Sequence, residues 1–478
     1  MLRTPDDQDI IVVGASGDLA SRKLIPALYN LEAQNLLPDQ GDVIGYAMAD
    51  WDDAGFVEHA RDSVKQFSRT GLDDGTFETF SRRLHFVPVT DGFDALRRRC
   101  TREERIAYLA VPPSAFEDLI GSFGQHGLAE GTKVIIEKPF GHDEKSAKTL
   151  NAALHAVFPE QRIFRIDHYM GKETVQNLLV FRFGNSIFER IWNRDCIQQV
   201  EITLAEELGV EQRGKFYEET GAIRDIVQNH IFQVLSLIAM EPPISFAPDA
   251  LRVEKVKVLR SIHPIKKGEV IRGQYTSGTI DGQPARGYRD EPGVDPNSTV
   301  ETFAALRVNL DSWRWSGVPF LIRTGKRLAR RETLVVVSFH AVPLRLFHET
   351  PASLDHNRLI VHIQPDEGID LTVMAKDPGP EILTKPVHMA FSYASSFMTS
   401  PPEAYERLLH DALISDHTLF IGEEEVDAGW AAVDRVLADP PPIHFYSAGS
   451  WGPPEASLCA GPCDWHEMEP DLAEERAG

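Results

Sequence analysis

The sequence is poor in cysteine, in long apolar runs and in positive charge. Cysteine occurs four times in 478 residues, at Cys100, Cys196, Cys459 and Cys463. Four scattered cysteines are too few for a disulfide framework and are typical of a reducing cytoplasm. No run approaches the roughly 18 apolar residues of a membrane helix, and the first residues lack the features of a signal peptide. We therefore expect a cytoplasmic protein with no membrane partner.

Acidic side chains outnumber basic ones by 72 to 49, which gives a net charge of −23. This excess disfavours binding to nucleic acid over most of the surface. An anionic substrate would therefore need a locally basic pocket. The apolar fraction of 42% is ordinary for a globular protein, and at roughly 100 to 200 residues per domain the length predicts two or three domains.

Cys459 and Cys463 form a C-x3-C pair near the end of the sequence, with His466 close by. The three residues complete no known zinc-ligand spacing. We expect two surface thiols here and no metal ion.

Residues 1–170 alternate short β-branched runs with longer helical patterns, which is typical of a parallel sheet with crossover helices. Helices are predicted at 22–36 and at 143–157, the second beginning at the cap residue Asp143. This pattern predicts a doubly wound, Rossmann-like α/β domain. The predicted strands are 9–14, 43–47, 85–89, 106–111, 133–137 and 162–166.

Residues 171–478 show a different pattern, in which strands follow one another with few helices between them. This predicts a larger α+β domain with a mainly antiparallel sheet. One long helix is predicted at 216–240, before Pro242, and a surface loop at 281–297. The predicted strands are 199–204, 302–309, 333–339, 358–363 and 369–374.

Directly after the first predicted strand, the sequence G-A-S-G-D-L-A opens a helix. Gly14 permits a tight turn, Gly17 lets the backbone approach a pyrophosphate, and Ala20 allows close packing of helix on strand. Ser16 replaces the middle glycine of the commoner motif, and turns of this composition also occur without a nucleotide. We expect a dinucleotide site formed by Gly14, Ala15, Ser16, Gly17, Asp18, Leu19 and Ala20.

Two further motifs follow later strands of the first domain. Lys138, in E-K-P-F-G, lies at the carboxyl end of the fifth strand, where ligands of such sheets bind. The string R-I-D-H-Y-M-G-K-E places His168, Tyr169 and Lys172 together as donors suited to a phosphate dianion. The alternatives are a surface lysine in the first motif and an ordinary turn at a domain boundary in the second.

His230 lies at four-residue spacing from Ile226 and Val234 on the long predicted helix, and therefore on an apolar stripe. Such a histidine is often a satisfied core residue. A general base needs a carboxylate that orients its ring, and Asp167 is the candidate partner.

Together these motifs resemble the glucose-6-phosphate dehydrogenase family. The runs G-V-E-Q-R-G-K-F-Y, R-T-G-K-R-L at 323–328 and Q-P-D-E at 364–367 also match in order. The resemblance covers residues 9 to about 455. It implies hydride transfer from C1 of glucose 6-phosphate to NADP or NAD, giving 6-phosphoglucono-1,5-lactone, the first step of the oxidative pentose phosphate pathway. It also implies a homodimer or homotetramer formed through the large sheet.

Residue by residue, the resemblance implies that His230 is the general base and that Asp167 orients it. His168, Tyr169 and Lys172 would hold the 6-phosphate, and Lys138 would bridge sugar and cofactor. Glu206, Asp225 and Lys326 would bind sugar hydroxyls, with Arg331 near the substrate.

The sequence departs from the family pattern at Met48, where members that use NADP carry an arginine for the adenosine 2′-phosphate. A thioether cannot pair with a phosphate, and Asp50, Asp52 and Asp53 follow closely. We therefore expect NAD to be used at least as well as NADP, unless Arg22 or Lys23 compensates.

Two alternatives remain. One is a related enzyme for another hexose 6-phosphate, and the other is a non-catalytic sugar-phosphate sensor. Drift to a sensor usually erases catalytic residues, and none of those named above is lost.

Overall fold

The structure is a computed structural model that describes residues 3–344, 346–347, 356–393, 396, 403–460 and 464–466. It divides into two compact units. The first unit comprises Met1–Gln176, Glu241–Val256 and Pro401–Trp430. The second unit comprises Asn177–Met240, Lys257–Ser400 and Ala431–Gly478. The predicted boundary at residue 170 therefore differs from the structure, since two later segments that were expected in the second domain belong to the first unit.

The first unit contains a parallel sheet that, within the described residues, has six strands in the order β3-β2-β1-β4-β5-β6. The order reverses beside β1, which pairs with both β2 and β4 in parallel register. Ligands bind at such a switch point, at the carboxyl ends of the strands. The predicted doubly wound domain is confirmed. The strands are β1 Asp9–Val13, β2 Val43–Ala47, β3 Leu84–Pro88, β4 Arg105–Leu109, β5 Thr132–Glu137 and β6 Ile163–Ile166.

Three helices of the first unit are capped by the side chain of an aspartate, namely Asp52, Asp73 and Asp143. The Asp143 side chain accepts a hydrogen bond from the Ser146 N–H at 2.7 Å, as predicted for the helix that follows it. The predicted helix at 22–36 instead begins with a π-helical turn, Ala20–Leu24, before Ile25–Ala33. The other α-helices of this unit are Asp53–Phe67, Asp74–Ser81, Gly92–Arg99, Phe116–Gln125, Glu144–His155 and Ala404–Leu413.

The second unit is built on a sheet with nine described strands, in the order β16-β15-β14-β13-β7-β12-β11-β8-β17. Apart from β7 with β12 and β8 with β17, the neighbouring strands are antiparallel, which confirms the predicted mainly antiparallel sheet. The nine strands are β7 Ile197–Ala205, β8 Val270–Thr276, β11 Phe303–Val308, β12 Phe320–Gly325, β13 Glu332–Phe339, β14 Arg358–Gln364, β15 Gly368–Lys376, β16 Thr384–Ser392 and β17 Ile443–Ser447. Two short strands, β9 Gly278–Ile280 and β10 Gln283–Ala285, form a separate pair.

The stretch 281–297, predicted as a surface loop, is more ordered than expected. Strands β9 and β10 form a hairpin, and Tyr288 is fully buried against Tyr275 and Tyr217. The apolar faces of these rings explain the difference, because their burial removes apolar surface from water.

The long helix predicted at 216–240 is kinked and contains a wide segment. Gly214–Ala222 is α-helical up to Gly221, whose φ of 68° and ψ of 172° break the helix. A π-helix follows at Ile223–Ile231, and Phe232–Ala239 returns to α-helical geometry. The remaining α-helices are Ser186–Ile191 and Ser457–Ala460 in the second unit, and three helices that cross a unit boundary, Glu173–Phe183, Pro248–Arg260 and Glu423–Ala438.

The prediction of two surface thiols near the carboxyl end is wrong for Cys459, which is buried in the core of the second unit. Cys459 lies on the helix Ser457–Ala460, and its thiol donates to the Ala305 carbonyl at 3.3 Å. Cys463 lies outside the described residues. The described cysteines carry free thiols. None of the helices in the described part of the chain is both long enough and apolar enough to cross a membrane.

Candidate active site

The glycine turn after β1 lies at the switch point of the parallel sheet. Gly14 has a φ of 84°, and a Cβ at this position would lie 2.3 Å from the carbonyl oxygen of Ala110. Only glycine fits this conformation and this close approach. The Gly17 N–H donates to the Gly14 carbonyl at 2.9 Å, and a Cβ on Gly17 would lie 3.1 Å from the same oxygen. The turn is therefore tight at both glycines.

The residues of this turn fit the pyrophosphate of a dinucleotide. Ser16 and Asp18 are exposed, whereas Ala15 and Ala20 are buried against the sheet. The helix that follows directs its amino-terminal N–H groups, and the positive end of its dipole, toward the carboxyl edge of the strands. The seven consecutive residues predicted for the cofactor, Gly14 to Ala20, thus lie together at the ligand-binding edge.

Met48 follows β2 at the same edge, and its side chain is 93% exposed. The carboxylates beside it are partly engaged elsewhere. Asp52 caps the helix Asp53–Phe67 by accepting from the Gly55 N–H at 2.8 Å, and Asp53 pairs with His85 and Arg99. These contacts give Asp52 and Asp53 structural roles that the sequence did not reveal.

Arg22 and Lys23, the two cations expected as substitutes for the absent arginine, both have acidic neighbours. The Arg22 guanidinium lies 3.7 Å from Asp18 and 5.2 Å from the centre of the Phe67 ring. Lys23 forms an ion pair with Glu403. Binding of a 2′-phosphate by either side chain would compete with these contacts.

The E-K-P-F-G motif begins at the last residue of β5. Glu137 accepts hydrogen bonds from the hydroxyls of Tyr108 at 2.5 Å and Tyr405 at 3.1 Å. Burial raises the pKa of Glu137, although these two bonds oppose the shift. The motif is also held at Phe140, whose carbonyl accepts from the Trp430 indole N–H at 2.9 Å. Tyr108 and Tyr405 were not identified from the sequence.

Strand register places the lysine motif beside the histidine motif. Glu137 pairs with Ile166 in the parallel sheet, so Lys138 and Asp167 are the next residues on adjacent strands. Asp167 is buried and accepts a hydrogen bond from the Tyr169 N–H at 2.9 Å. This bond curls the chain directly after β6, as an Asp side chain often does in a turn.

The donors predicted for a phosphate follow in this turn. The Lys172 ammonium lies 5.1 Å from the centre of the Tyr169 ring, and His168 is half-buried beside that ring. The first unit thus brings Lys138, Asp167, His168, Tyr169 and Lys172 to one edge of its sheet.

In the second unit, parallel pairing of β7 with β12 aligns Ala205 with Gly325. The residues that follow, Glu206 and Lys326, therefore leave the sheet together. Their side chains form an ion pair, with 2.5 Å between the Lys326 ammonium and a Glu206 oxygen. Lys326 is buried, whereas the Glu206 side chain is about one third exposed. This pair presents a carboxylate and an ammonium suited to sugar hydroxyls.

The π-helix Ile223–Ile231 carries Asp225 and His230, and it packs against β12. In an α-helix, residues five apart lie about 140° apart around the axis. Five residues complete about one turn of a π-helix, which brings Asp225 and His230 toward one face. His230 is 1% exposed. The four-residue spacing read from the sequence assumed α-helical geometry and missed this relation.

Glu301 fixes the start of this π-helix. Its backbone carbonyl accepts from the Ala222 N–H at 3.0 Å, and its carboxylate accepts from the Ile223 N–H at 3.3 Å. The carboxylate also pairs with Arg272 at 3.0 Å, and both side chains are buried. A negative charge at a helix amino terminus is favourable. The sequence offered no signal for Glu301, which lies 78 positions from Ile223.

Arg331 is exposed and donates to the Gln364 side chain at 3.1 Å, which links the R-T-G-K-R-L segment to Q-P-D-E. Glu206, Asp225, His230, Lys326 and Arg331 belong to the second unit, whereas Lys138 and Asp167 belong to the first. The pairing of Asp167 with His230 remains a prediction.

The glycine turn, the doubly wound sheet and the attached α+β unit define a nicotinamide-nucleotide-binding protein of two parts. The family model for the glucose-6-phosphate dehydrogenase NAD binding domain matches residues 11–177. The model for the glucose-6-phosphate dehydrogenase C-terminal domain matches residues 179–464. The chain therefore belongs to the glucose-6-phosphate dehydrogenase family.

Relatives match over nearly the whole chain. A glucose-6-phosphate 1-dehydrogenase of Chlamydia pneumoniae is 41% identical over 476 residues, covering 94% of this chain and 93% of the relative. The crystal structure of glucose-6-phosphate 1-dehydrogenase from Mycobacterium avium is 36% identical, with a TM-score of 0.86 over 98% of this chain and 100% of that one. A glucose-6-phosphate dehydrogenase solved with glucose 6-phosphate is 34% identical, with the same TM-score and coverage.

Proposed function

We propose that this protein is a glucose-6-phosphate 1-dehydrogenase that oxidises C1 of glucose 6-phosphate to 6-phosphoglucono-1,5-lactone, the first step of the oxidative pentose phosphate pathway. One observation carries this proposal. The family match spans both units, and every residue to which the family resemblance gives a catalytic or substrate-binding role is present. A sensor that had lost catalysis would be expected to have lost some of them.

His230 is the proposed general base. A neutral imidazole takes the proton from the C1 hydroxyl while the C1–H bond breaks, so that C1 becomes the lactone carbonyl. The nicotinamide, when bound, accepts the hydride from C1. Asp167 is proposed to orient the imidazole and to stabilise its protonated form. The reaction needs no metal ion, because the proton and the hydride leave together with the formation of a neutral carbonyl.

The remaining residues are proposed to bind the substrate. His168, Tyr169 and Lys172 donate to the 6-phosphate, where they supply the local positive charge that the net charge of −23 makes necessary. Glu206, Asp225 and Lys326 bind the sugar hydroxyls, with Arg331 near the substrate. Lys138 contacts both sugar and cofactor.

We further propose that NAD is used at least as well as NADP. The exposed thioether of Met48 offers no charge to a 2′-phosphate, and Arg22 and Lys23 already have acidic neighbours. Initial rates with glucose 6-phosphate, titrating each cofactor at equal ionic strength, test both proposals. A strong NADP preference would overturn the cofactor proposal. No reaction with either cofactor, combined with binding of the sugar phosphate, would favour a sensor or another hexose phosphate as substrate.

Substitution of His230 by Asn tests the assigned base. We expect kcat to fall by about 10²- to 10⁴-fold, since Asn cannot accept the proton. The dissociation constant for glucose 6-phosphate, measured by calorimetry, should change little because the phosphate is held by other residues. Turnover within tenfold of the parent protein would remove His230 from this role.

A homodimer or homotetramer formed through the large sheet is also proposed. Support comes from the outer strands, where Leu371 pairs with Met389 and Val373 with Val387, so that four apolar side chains share one face. Met389 is 55% exposed, which leaves an apolar stripe at the sheet edge. A cytoplasmic location is proposed from the scattered cysteines.

A further inference from the structure

Tyr405 contacts both motifs at the ligand-binding edge of the first unit. It lies on the helix Ala404–Leu413, in the third stretch of sequence that forms this unit. Its hydroxyl donates to Glu137, the residue before Lys138, at 3.1 Å. Its ring lies parallel to the His168 imidazole, with an interplanar angle of 9° and 6.4 Å between the ring centres.

The residue before Tyr405 contacts the same loop. A Cβ on Gly171 would lie 2.9 Å from the carbonyl oxygen of Ala404. Backbone therefore packs directly on backbone between His168 and Lys172, at a distance that only glycine permits. Two consecutive residues of the helix thus touch the loop that carries the proposed phosphate donors.

The helix itself is firmly held. Glu406 is buried and forms two hydrogen bonds with the Arg69 guanidinium, at 2.7 and 2.8 Å, and one with Asn30 at 2.9 Å. A bidentate pair of this kind restricts the orientation of both partners. Tyr405 therefore extends from a fixed support.

The hydroxyl of Tyr405 remains a donor over the working pH range. Burial raises the pKa of Tyr405, and the negative charge of Glu137 raises it further. Tyr108 donates to the same oxygen of Glu137 but belongs to β4, so its hydrogen bond does not reach the loop after β6. Of these two tyrosines, Tyr405 is the one that links the end of β5 to His168.

We propose that Tyr405 is a positioning residue for the substrate phosphate. It ties the end of β5 to the loop after β6, so that Lys138 and the donors His168, Tyr169 and Lys172 keep a fixed spacing. This inference rests on the proposed assignment of those three donors to the 6-phosphate.

Tyr405→Phe removes the hydroxyl and keeps the ring. We expect the KM for glucose 6-phosphate to rise about tenfold, the size of one lost hydrogen bond to a charged group, with kcat within about threefold of the parent. The value of kcat/KM for glucose, which has no phosphate, should stay within about twofold. A general loss of packing would lower kcat/KM for glucose and for glucose 6-phosphate alike.

Tyr29→Phe is the matched control. Tyr29 is also buried in the first unit, and its hydroxyl bonds to the backbone of Asp73, away from both motifs. This variant should keep the parent KM for glucose 6-phosphate. Thermal melting of both variants reports any loss of folding.

Lys172→Ala in the same assays tests the assignment of the phosphate donors separately from the role of Tyr405. If Lys172→Ala raises the KM for glucose 6-phosphate selectively and Tyr405→Phe does not, the inference about Tyr405 is overturned and the phosphate assignment stands. If Lys172→Ala has no selective effect, the phosphate assignment fails and the inference fails with it. An equal loss of glucose and glucose 6-phosphate activity in Tyr405→Phe also overturns the inference.

Discussion

A thioether stands at the end of β2, where the cofactor's adenosine ribose is expected to lie. Met48 is 93% exposed, so a longer charged side chain would fit there without repacking. Nearby, Asp52 caps a helix and Asp53 pairs with His85 and Arg99, so those carboxylates are not freely available to a ribose hydroxyl. Asp50, which is exposed, is the better candidate for that contact.

Substitution of Met48 by Arg should move cofactor preference toward NADP. A guanidinium pairs with the 2′-phosphate, and such charge-assisted bonds are strong. We expect the ratio of kcat/KM for NADP to that for NAD to rise at least tenfold, as measured by initial rates with each cofactor.

The matched control is Leu458→Arg, which adds the same charge at a side chain 72% exposed in the second unit. It should leave the ratio unchanged. An equal shift in both variants would mean that the total charge of the protein, and not the position of Met48, sets the preference.

Single residues also show which contacts can be predicted from the sequence and which cannot. Asp143 can be predicted as a helix cap because the group that it binds, the Ser146 N–H, is only three residues away. Tyr405 bonds to Glu137, 268 positions distant, and Glu301 bonds to Ile223, 78 positions distant. Periodicity and local motifs carry no information about such contacts, since only the fold brings these residues together.

At the scale of elements, the kinked helix is the part that most affects the chemistry. Gly221 has a positive φ, and a Cβ added to it would lie 2.5 Å from a carboxylate oxygen of Glu301. The kink and the π-helix after it set the direction of Asp225 and His230. π-Helical turns are rare and are frequently found at functional sites.

Gly221→Ala should destabilise the protein and lower kcat. Backbone strain of this kind costs about 1 to 3 kcal/mol, and the contact with Glu301 adds to it. Urea denaturation and steady-state kinetics measure the two effects. Gly282→Ala isolates the backbone cost, because Gly282 has a φ of 74° and no heavy atom within 4 Å of its Cβ position. Equal losses in both variants would contradict the role given to Glu301.

Most strands were predictable, because β-branched runs bounded by turn residues identify buried strands. All six strands of the parallel sheet were found within about two residues. The kink at Gly221 was missed since an apolar stripe is nearly continuous along residues 223–239, whichever helical geometry the backbone adopts. Strand β16 was missed because half-exposed residues and Pro386 weaken its alternation.

For the molecule as a whole, the free energy of unfolding depends on pH through buried titratable side chains. Burial raises the pKa of Asp411 to about 7 from 3.8, Arg407 opposes this, and the charge of Asp416 adds to it. Between about pH 4 and 7 the native protein therefore holds a proton that the unfolded chain has lost. The free energy of unfolding falls as pH rises through this window.

Asp411→Asn should remove this dependence, because the amide does not titrate. We expect the decrease in unfolding free energy between pH 5 and 7.5, measured by urea denaturation, to be smaller in the variant than in the parent. Asp249→Asn, at an exposed side chain, is the control and should keep the parent slope. The same slope in Asp411→Asn and parent would show that this carboxyl titrates normally.

Assembly is the second property of the whole molecule. A lysine at Met389 places a charge in the apolar stripe at the sheet edge, and burying an unpaired charge in an interface is costly. Met389→Lys should therefore lower the mass measured by sedimentation equilibrium. Ile382→Lys, exposed but outside the strands, should leave the mass unchanged. An unchanged mass in Met389→Lys would exclude this edge as the subunit contact.

The first unit needs residues 241–256 and 401–430 as well as the sequence up to Gln176. During synthesis, the amino-terminal strands leave the ribosome long before the helix that carries Tyr405 and Glu406. At about 5 to 20 residues per second, the roughly 250 residues from Gln176 to Trp430 take on the order of 10 to 50 seconds to make. For that time the parallel sheet lacks the segment that buries Lys133 and binds Arg69. Until about residue 430 has been made, the nascent first unit therefore lacks one of its three segments.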